Sequence, residues 1–457
     1  MKKKTKMNVT NMTEGDVLRH LIGYAVPLLA GNLFNQVYNI MDAWVAGRNL
    51  GASGLAAIGA TSSIYSFIMN FGFGMNAGFA VIVSRNFGAD DNRSTRKTIA
   101  GSILICSVIS IILTSLSLIF TEQLTDLMQT PQNIRADAIR YIHIIFMGMS
   151  GSIFYSLFSG IMRAVGNTKT PLLINVISCI INISMDMTVV PHYDLGVAGV
   201  AATTVLAQII AAVLCGIYIV RSYKGFIPEK TDFHLDIAYL SSISSIGLSM
   251  AAMYCVVDLG NILFQSSNNA LGERAITAES IATRISGVMM APIGTLMSAC
   301  STFVSQNYGA GNRYRIDEGI RKSIVLEVIW GCIACTVILI IGKGLFRFMT
   351  STTDSELIDM GYQSLKWCMP FFPVLGVLCV IRTTMQALGS RIIPILSSVI
   401  EVAARGWTAV YLIPKFGFFG TCIGVPITWT VMAVFLFVSY EIQKRKLFTN
   451  IRQEAFG

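Results

Sequence analysis

Two carboxylates stand in stretches that are otherwise apolar: Asp42 in NIMDAWVAG and Asp186 in INISMDMTVV. An acid placed in hydrocarbon costs roughly 3 kcal/mol or more, so one that is kept there faces a cavity or a partner and marks an ion or proton route. Asn182 precedes Asp186 by four residues and shares its helix face. Thr204, in AATTVLAQ, lies early in the next apolar segment, and its hydroxyl can point back toward that face. Carboxylate, amide and hydroxyl oxygens are hard ligands suited to Na⁺, while two carboxylates drawn together away from water suit the carriage of protons. The residue types leave H⁺ and Na⁺ both open. For Asp42 a plainer alternative stands: Gly47 and Arg48 follow closely, and the acid could sit at a helix end and reach water. Glu401 and Arg405, also four apart, are expected to neutralise each other, the alternative being that Arg405 binds an anionic substrate or exchanges partners.

The elements that must position these residues are membrane helices. Of 457 residues 53% are hydrophobic and 13% charged, and the mean hydropathy is +0.63, which is too apolar for a soluble chain of this length. A bilayer core about 30 Å thick takes about 20 apolar residues per helix. Twelve spans are predicted, near 18–45, 55–83, 97–120, 136–163, 170–190, 197–220, 237–265, 275–304, 321–345, 358–386, 391–413 and 420–441. The fold class is therefore an all-α integral membrane protein, with 1–16 as a cytoplasmic N-terminal segment, 17–221 as a six-helix lobe, 222–236 as a cytoplasmic linker, 237–441 as a second six-helix lobe and 442–457 as a cytoplasmic tail. The basic stretches MKKKTKMNVT, SRNFGADDNRSTRK, RSYKGFIPEK, YGAGNRYRIDEGIRK and EIQKRKLFTNIRQEAFG all fall on one side. The positive-inside rule puts both termini in the cytoplasm of a protein held in the cytoplasmic (inner) membrane. The net charge of +9 is then topological, with no nucleic-acid partner expected. The first span has no small-residue cleavage site and is expected to be retained. All ten cysteines, including Cys332 and Cys335 in a CxxC, lie in apolar runs and are expected to pack as small hydrophobes, with no disulfide, metal or redox role.

The chain also repeats itself. SRNFGADD at 84–91 returns as SQNYGAGN at 305–312, and the glycine ending NLG at Gly51 returns in ALG at Gly272, both 221 residues on. RAVGNTKTP at 163–171 returns as QALGSRIIP at 386–394, and Pro191 as Pro414, both 223 residues on. An even number of spans per copy gives both copies one orientation, so the lobes are expected to be related by a pseudo-two-fold axis along the membrane normal, a common transporter construction. The repeat filters the charged residues: Asp42 maps onto Leu263 and Asp186 onto Ala409, so neither acid belongs to the shared scaffold, and Asn182 maps onto Arg405.

The first span with its proline and DAWVAG, the GA(D/G)(D/N) turns after the second and eighth spans, RAVGNTKTP after the fourth and the Asn-x-x-x-Asp of the fifth, in that order over nearly the whole chain, resemble the MATE family of multidrug and toxic compound extruders, prokaryotic type. The resemblance implies an N-lobe cation or proton site at Asp42, Asn182, Asp186 and Thr204, with Tyr38 one turn before the first acid. It implies a bend at Pro27, where a proline removes one backbone hydrogen bond, although a static kink is the equal alternative. Tyr141 is a further candidate for the same network, or an interfacial aromatic. One branch of the family carries acids in the seventh and tenth helices; here the tenth span has Arg382 and no acid, and Asp258 in the seventh is what could remain of such a site, so a second-lobe Na⁺ site is not expected.

What the resemblance implies is a secondary antiporter that exports lipophilic cationic or amphipathic compounds by alternating access, coupled to H⁺ or Na⁺, with no cofactor, working as a monomer among membrane lipids. A pathway for many such compounds needs adaptable apolar walls, for which Met69, Phe71, Met75, Met289 and Met290 are candidates, ordinary packing being the alternative. Small residues in the second and eighth spans are expected to line the lobe interface. The rival reading is a flippase or exporter of a lipid-linked or other specific metabolite in the same superfamily. An enzyme is not expected, since His20, His143, His192 and His234 are scattered, and ATP drive is not expected without a GxxxxGK[ST] motif.

Overall fold

The computed structural model describes residues 9–128, 130–350 and 354–456, so the first eight residues of the basic N-terminal segment and the last residue of the tail lie outside it. Among the described residues there are helices and no strands, as a lipid-embedded backbone requires when each polar group must be satisfied within its own segment. The first half runs α1 (Val17–Gly88), α2 (Asn92–Ile119), α3 (Thr121–Leu127), α4 (Gln132–Met147), α5 (Met149–Ala164), α6 (Lys169–His192) and α7 (Gly196–Ser222). The second runs α8 (Ile237–Asn269), α9 (Glu273–Gly309), α10 (Arg313–Thr350), α11 (Ser355–Cys368), α12 (Phe372–Ala387), α13 (Ile392–Trp407), α14 (Ile413–Phe416) and α15 (Phe418–Phe456).

Ten helical stretches are long and apolar enough to cross a membrane, and α4 with α5, bent by 45° between them, makes an eleventh. The 72 residues of α1 hold two of the predicted spans on either side of Gly51, whose angles (φ 71°, ψ −172°) are not helical. Counted so, each of the twelve predicted spans has its helix. At the α4–α5 bend a Cβ on Gly148 would come within 2.2 Å of Val205 Cγ1, so only a residue without a side chain lets the junction rest on α7.

The repeat is written in backbone conformation as well as in sequence. Positive φ occurs at Gly51 and Gly272, at Asp90 and Gly311, at Gly166 and Gly389, and at Asp194 and Gly417, the first two pairs 221 apart and the last two 223. The turn after the second span shows how closely the copies agree. Asp90 (φ 56°) and Gly311 (φ 70°) take the left-handed conformation, and the next residue in each copy caps the following helix. Asp91 Oδ1 accepts from Ser94 N at 2.9 Å, and Asn312 Oδ1 from Arg315 N at 3.2 Å.

Two compact units result, but their boundary differs from the predicted linker at 222–236. Ala30–Ala251 forms one unit, while Met12–Leu29 joins Ala252 and the residues after it in the other. Packing explains both transfers. In the first unit, α1 and the start of α8 cross so closely that a Cβ on Gly78 would sit 2.6 Å from Gly247 Cα, and Phe79 and Met75 close over Gly247. Gly78, one of the small residues of the second span, thus serves this crossing. In the second unit, Val17, Leu21, Tyr24 and Ala25 pack with Ala299 and Phe303 of α9, and Tyr24 Oη receives a 3.0 Å bond from Thr302 Oγ1. Gly78 and Ala299 are the same repeat position, 221 apart. The predicted linker is tied to the first unit: Asp232 pairs with Arg96 Nε at 3.0 Å and accepts Glu229 N–H at 2.9 Å, contacts that hold its carboxyl below the usual carboxylate range, the backbone bond foremost.

Candidate functional site

In the first unit α1 and α6 meet along a polar seam. On α1 the seam residues are Asn35, Tyr38, Asp42 and Asn49, spaced by three, four and seven, which keeps them on one helix face. On α6 they are Asn175, Asn182 and Asp186, in the same rhythm. Asn175 Nδ2 donates to Asn35 Oδ1 at 2.6 Å, Tyr38 Oη to Asn182 Oδ1 at 2.5 Å, and Asn49 Nδ2 to the Asp186 carbonyl oxygen at 2.7 Å. Between these rungs the Asp42 and Asp186 carboxyls face each other within side-chain hydrogen-bonding reach. Asn182 and Asp186 are each 1% exposed, so the pair is sealed on the α6 side.

Two polar atoms of this cluster are buried without a protein partner among the described residues: Asp42 Oδ1, an acceptor, and Asn182 Nδ2, a donor. The basic residue nearest Asp42 in sequence does not answer it, because the Arg48 guanidinium lies over the Trp44 ring, 5.6 Å from its centroid. Nor does Asp42 end a helix, since α1 remains helical to Gly51, more than two turns further on. An acid pair with an open acceptor, and with no neutralising side chain among the described residues, is chemically fit to take up H⁺ or Na⁺.

The threonine on the site is Thr203 and not Thr204. Thr203 Oγ1 donates to Asp186 Oδ1, whereas Thr204 Oγ1 is spent on the Val200 carbonyl of its own helix at 2.9 Å. Adjacent helical positions point about 100° apart, and packing of α7 on α6 turns the earlier one inward. Tyr141 packs with Ala46, Val190 and Val200 beside the seam and lies in the electrostatic neighbourhood of both acids. Asn35 and Asn49 escaped sequence reasoning; their spacing from Tyr38 and Asp42 was the signal that could have found them. Pro27 lies within α1, fifteen residues before Asp42 and three before Ala30, where the chain passes from one unit to the other.

The pathway candidates separate. Met69 and Met75, 1% and 3% exposed, are packed into the core of the first unit with Phe71 against them, so the two methionines serve packing and line no open wall. Met289 is partly buried against the core of the second unit, with its carbonyl accepting from Trp330 Nε1 at 2.9 Å, and Met290 is 40% exposed.

The second unit has a site of the opposite sign. Glu401 and Arg405 are paired at 2.9 Å as expected, but Arg382 of α12 takes the other Glu401 oxygen at 3.3 Å, and Arg405 also donates to Asn261 Oδ1 of α8 at 2.6 Å. Asp258 sits half-buried on α8, one turn before Asn261 and close to Cys255. Glu327 of α10 was not anticipated: it is fully buried, with Gly376 of α12 against its side chain.

The chain matches the family model described as MatE over residues 27–188 and 249–405. The probable multidrug resistance protein YpnP of Bacillus subtilis (strain 168) is 26% identical over 449 residues, covering 97% of this chain and all of that protein. The FAD transporter of Shewanella oneidensis is 21% identical over 81% of this chain and 82% of its own length. A crystal structure of MATE in the bent conformation shares the fold, with a TM-score of 0.88 at 18% identity over 98% of both chains.

Proposed function

The chain belongs to the MatE family, and from that premise we propose that it is a secondary exporter of cationic or amphipathic compounds, driven by H⁺ or Na⁺ entering through the Asp42–Asp186 site. The observation that carries the reading is the face-to-face acid pair that no basic side chain neutralises among the described residues. Two carboxylates this close cannot both hold their charge cheaply in a poorly solvated place, so the pair gains a proton or a cation and loses it when water returns. Thr203 can follow that change without stranding its own hydrogen, because the Val200 carbonyl lies 2.9 Å away as a second acceptor. Occupation of the pair alters what holds α1 against α6 at Tyr38, Asp42 and Asn49. The same helix continues back through Pro27 into Met12–Leu29, so a change at the seam has a covalent route out of the unit. The orientation in the cytoplasmic membrane, with both termini in the cytoplasm, rests on the distribution of basic residues, and the monomer on the completeness of the site within one chain.

The test is efflux from everted and whole-cell preparations, with ΔpH and Na⁺ gradients imposed separately. Export of a cationic dye driven by one gradient, and lost in both Asp42→Asn and Asp186→Asn while the protein is still made, is the expected result. Full retained export in both variants would sink the coupling site. The second reading, export of one specific metabolite, draws on the 21% identical relative described as an FAD transporter, and predicts that a panel of dyes is ignored.

A further inference from the structure

Arg382, Glu401 and Arg405 do not balance. One carboxylate is divided between two guanidiniums, one on each oxygen, and Glu401 is the acid within ion-pair distance of either arginine among the described residues. The three side chains are only 11%, 6% and 14% exposed, within helices that cross the membrane. Arg382 Nε and Arg405 Nε are buried donors without an acceptor among the described residues. A cation left over in such a place is costly, and a single arginine would have been enough to neutralise Glu401. The surplus is also braced: Asn261 holds one Arg405 nitrogen, and Gly260 leaves room for its stem, since a Cβ there would lie 3.0 Å from Arg405 Cδ. The guanidinium edge suits planar oxyanions. Leu259, Ile262 and Leu263 stand exposed along α8 beside Asn261, so whatever brings the anion also meets apolar surface.

We propose that Arg382 and Arg405 form an oxyanion site for the carboxylate or phosphate group of an amphipathic compound that the protein exports, with Glu401 as the internal anion that holds the arginines until the compound arrives. The exported identity of the ligand rests on the export reading above; the anion site does not.

The test is equilibrium binding of fluorescein, an amphipathic dianion, and of rhodamine 6G, a cation, to the purified full-length protein in phosphatidylcholine nanodiscs, followed by fluorescence anisotropy. Loss of one charge-assisted contact in Arg405→Gln or Arg382→Gln is expected to weaken fluorescein about tenfold or more and to move rhodamine 6G less than about twofold. Glu401→Gln removes the competing anion and is expected to tighten fluorescein by about threefold or more, a gain that misfolding cannot produce. No fluorescein binding to the wild type, equal effects of Arg405→Gln on both dyes, or a Glu401→Gln variant weakened like the arginine variants would each overturn the site in favour of a structural triad. Replacing part of the phosphatidylcholine with phosphatidylglycerol separates the sources: competition in the wild type that disappears in Arg405→Gln would assign the anion to a lipid headgroup and overturn the exported compound, and its absence supports it. Failure of the wild type to export rhodamine 6G from cells would fault the export reading while leaving the binding result intact.

Discussion

The two units share one scaffold and bury clusters of opposite sign within it. In the first, Asp42 and Asp186 face each other with no arginine or lysine bound to them among the described residues; in the second, two arginines share one glutamate. The repeat shows how little had to change. Asn182 in the seam corresponds to Arg405, Asp186 to Ala409 and Asp42 to Leu263, while the left-handed positions and the capped turns are kept in both copies. Conformation is thus the inherited part, and polarity at a few inward positions is what each copy made its own.

The comparison breaks most completely at Asp186. Asp186→Asn should reduce gradient-driven export to background, whereas Glu401→Gln should leave the response to the gradient in place; equal loss in both would mean that the units share one function. The next effect is on stability. Gly78→Leu drives a side chain into the backbone at Gly247 and should cost about 3 kcal/mol or more, read as a lowered unfolding midpoint in detergent, while Ala299→Leu at the matching position, in the cluster with Leu21, Tyr24 and Phe303, should cost about 1–3 kcal/mol. Thr203→Val should weaken the apparent affinity for the coupling ion about tenfold while Thr204→Val changes it less than about twofold, since only the first hydroxyl reaches Asp186. Tyr38→Phe, which frees the Asn182 oxygen, should cost about 1 kcal/mol, near fivefold in the same measurement.

The smallest effect distinguishes the two capped turns. The Ser94 N–H holds the Asp91 carboxyl below the usual carboxylate range. A lowered native value contributes stability above the unfolded carboxylate's own titration and loses it as pH falls through the native one. Acid unfolding should therefore loosen the turn of the first copy, and Asp91→Asn should remove that pH dependence and make it behave like the Asn312 turn of the second. Asp91→Ala should cost about 1 kcal/mol at neutral pH in a thermal melt.

Apolar period, basic-residue placement and the repeat made the twelve spans legible, because each is a property of one segment or of two segments compared. Asn182 and Asp186 were legible as a pair for the same reason, being on one helix. Thr203 against Thr204 was not, since the rotation of a helix about its axis is decided by what packs on it. The sharing of Glu401 by Arg382 joins residues from different helices and carries no local signal. The methionines failed in the opposite direction: adaptable side chains suit a pathway and a core equally, and burial put Met69 and Met75 in the core.

The exchange of helix starts between the units bears on how the protein is made. The first unit lacks part of its own packing until Gly247 and the residues around it have been synthesised, well after its last complete span, and the second waits from its first residue for partners at Val17 and Leu21 that were laid down at the beginning. Neither half is a finished folding unit when cut at the loop between them: the first can close only once Ala251 has been made, and Met12–Leu29 must wait for the second half to be synthesised.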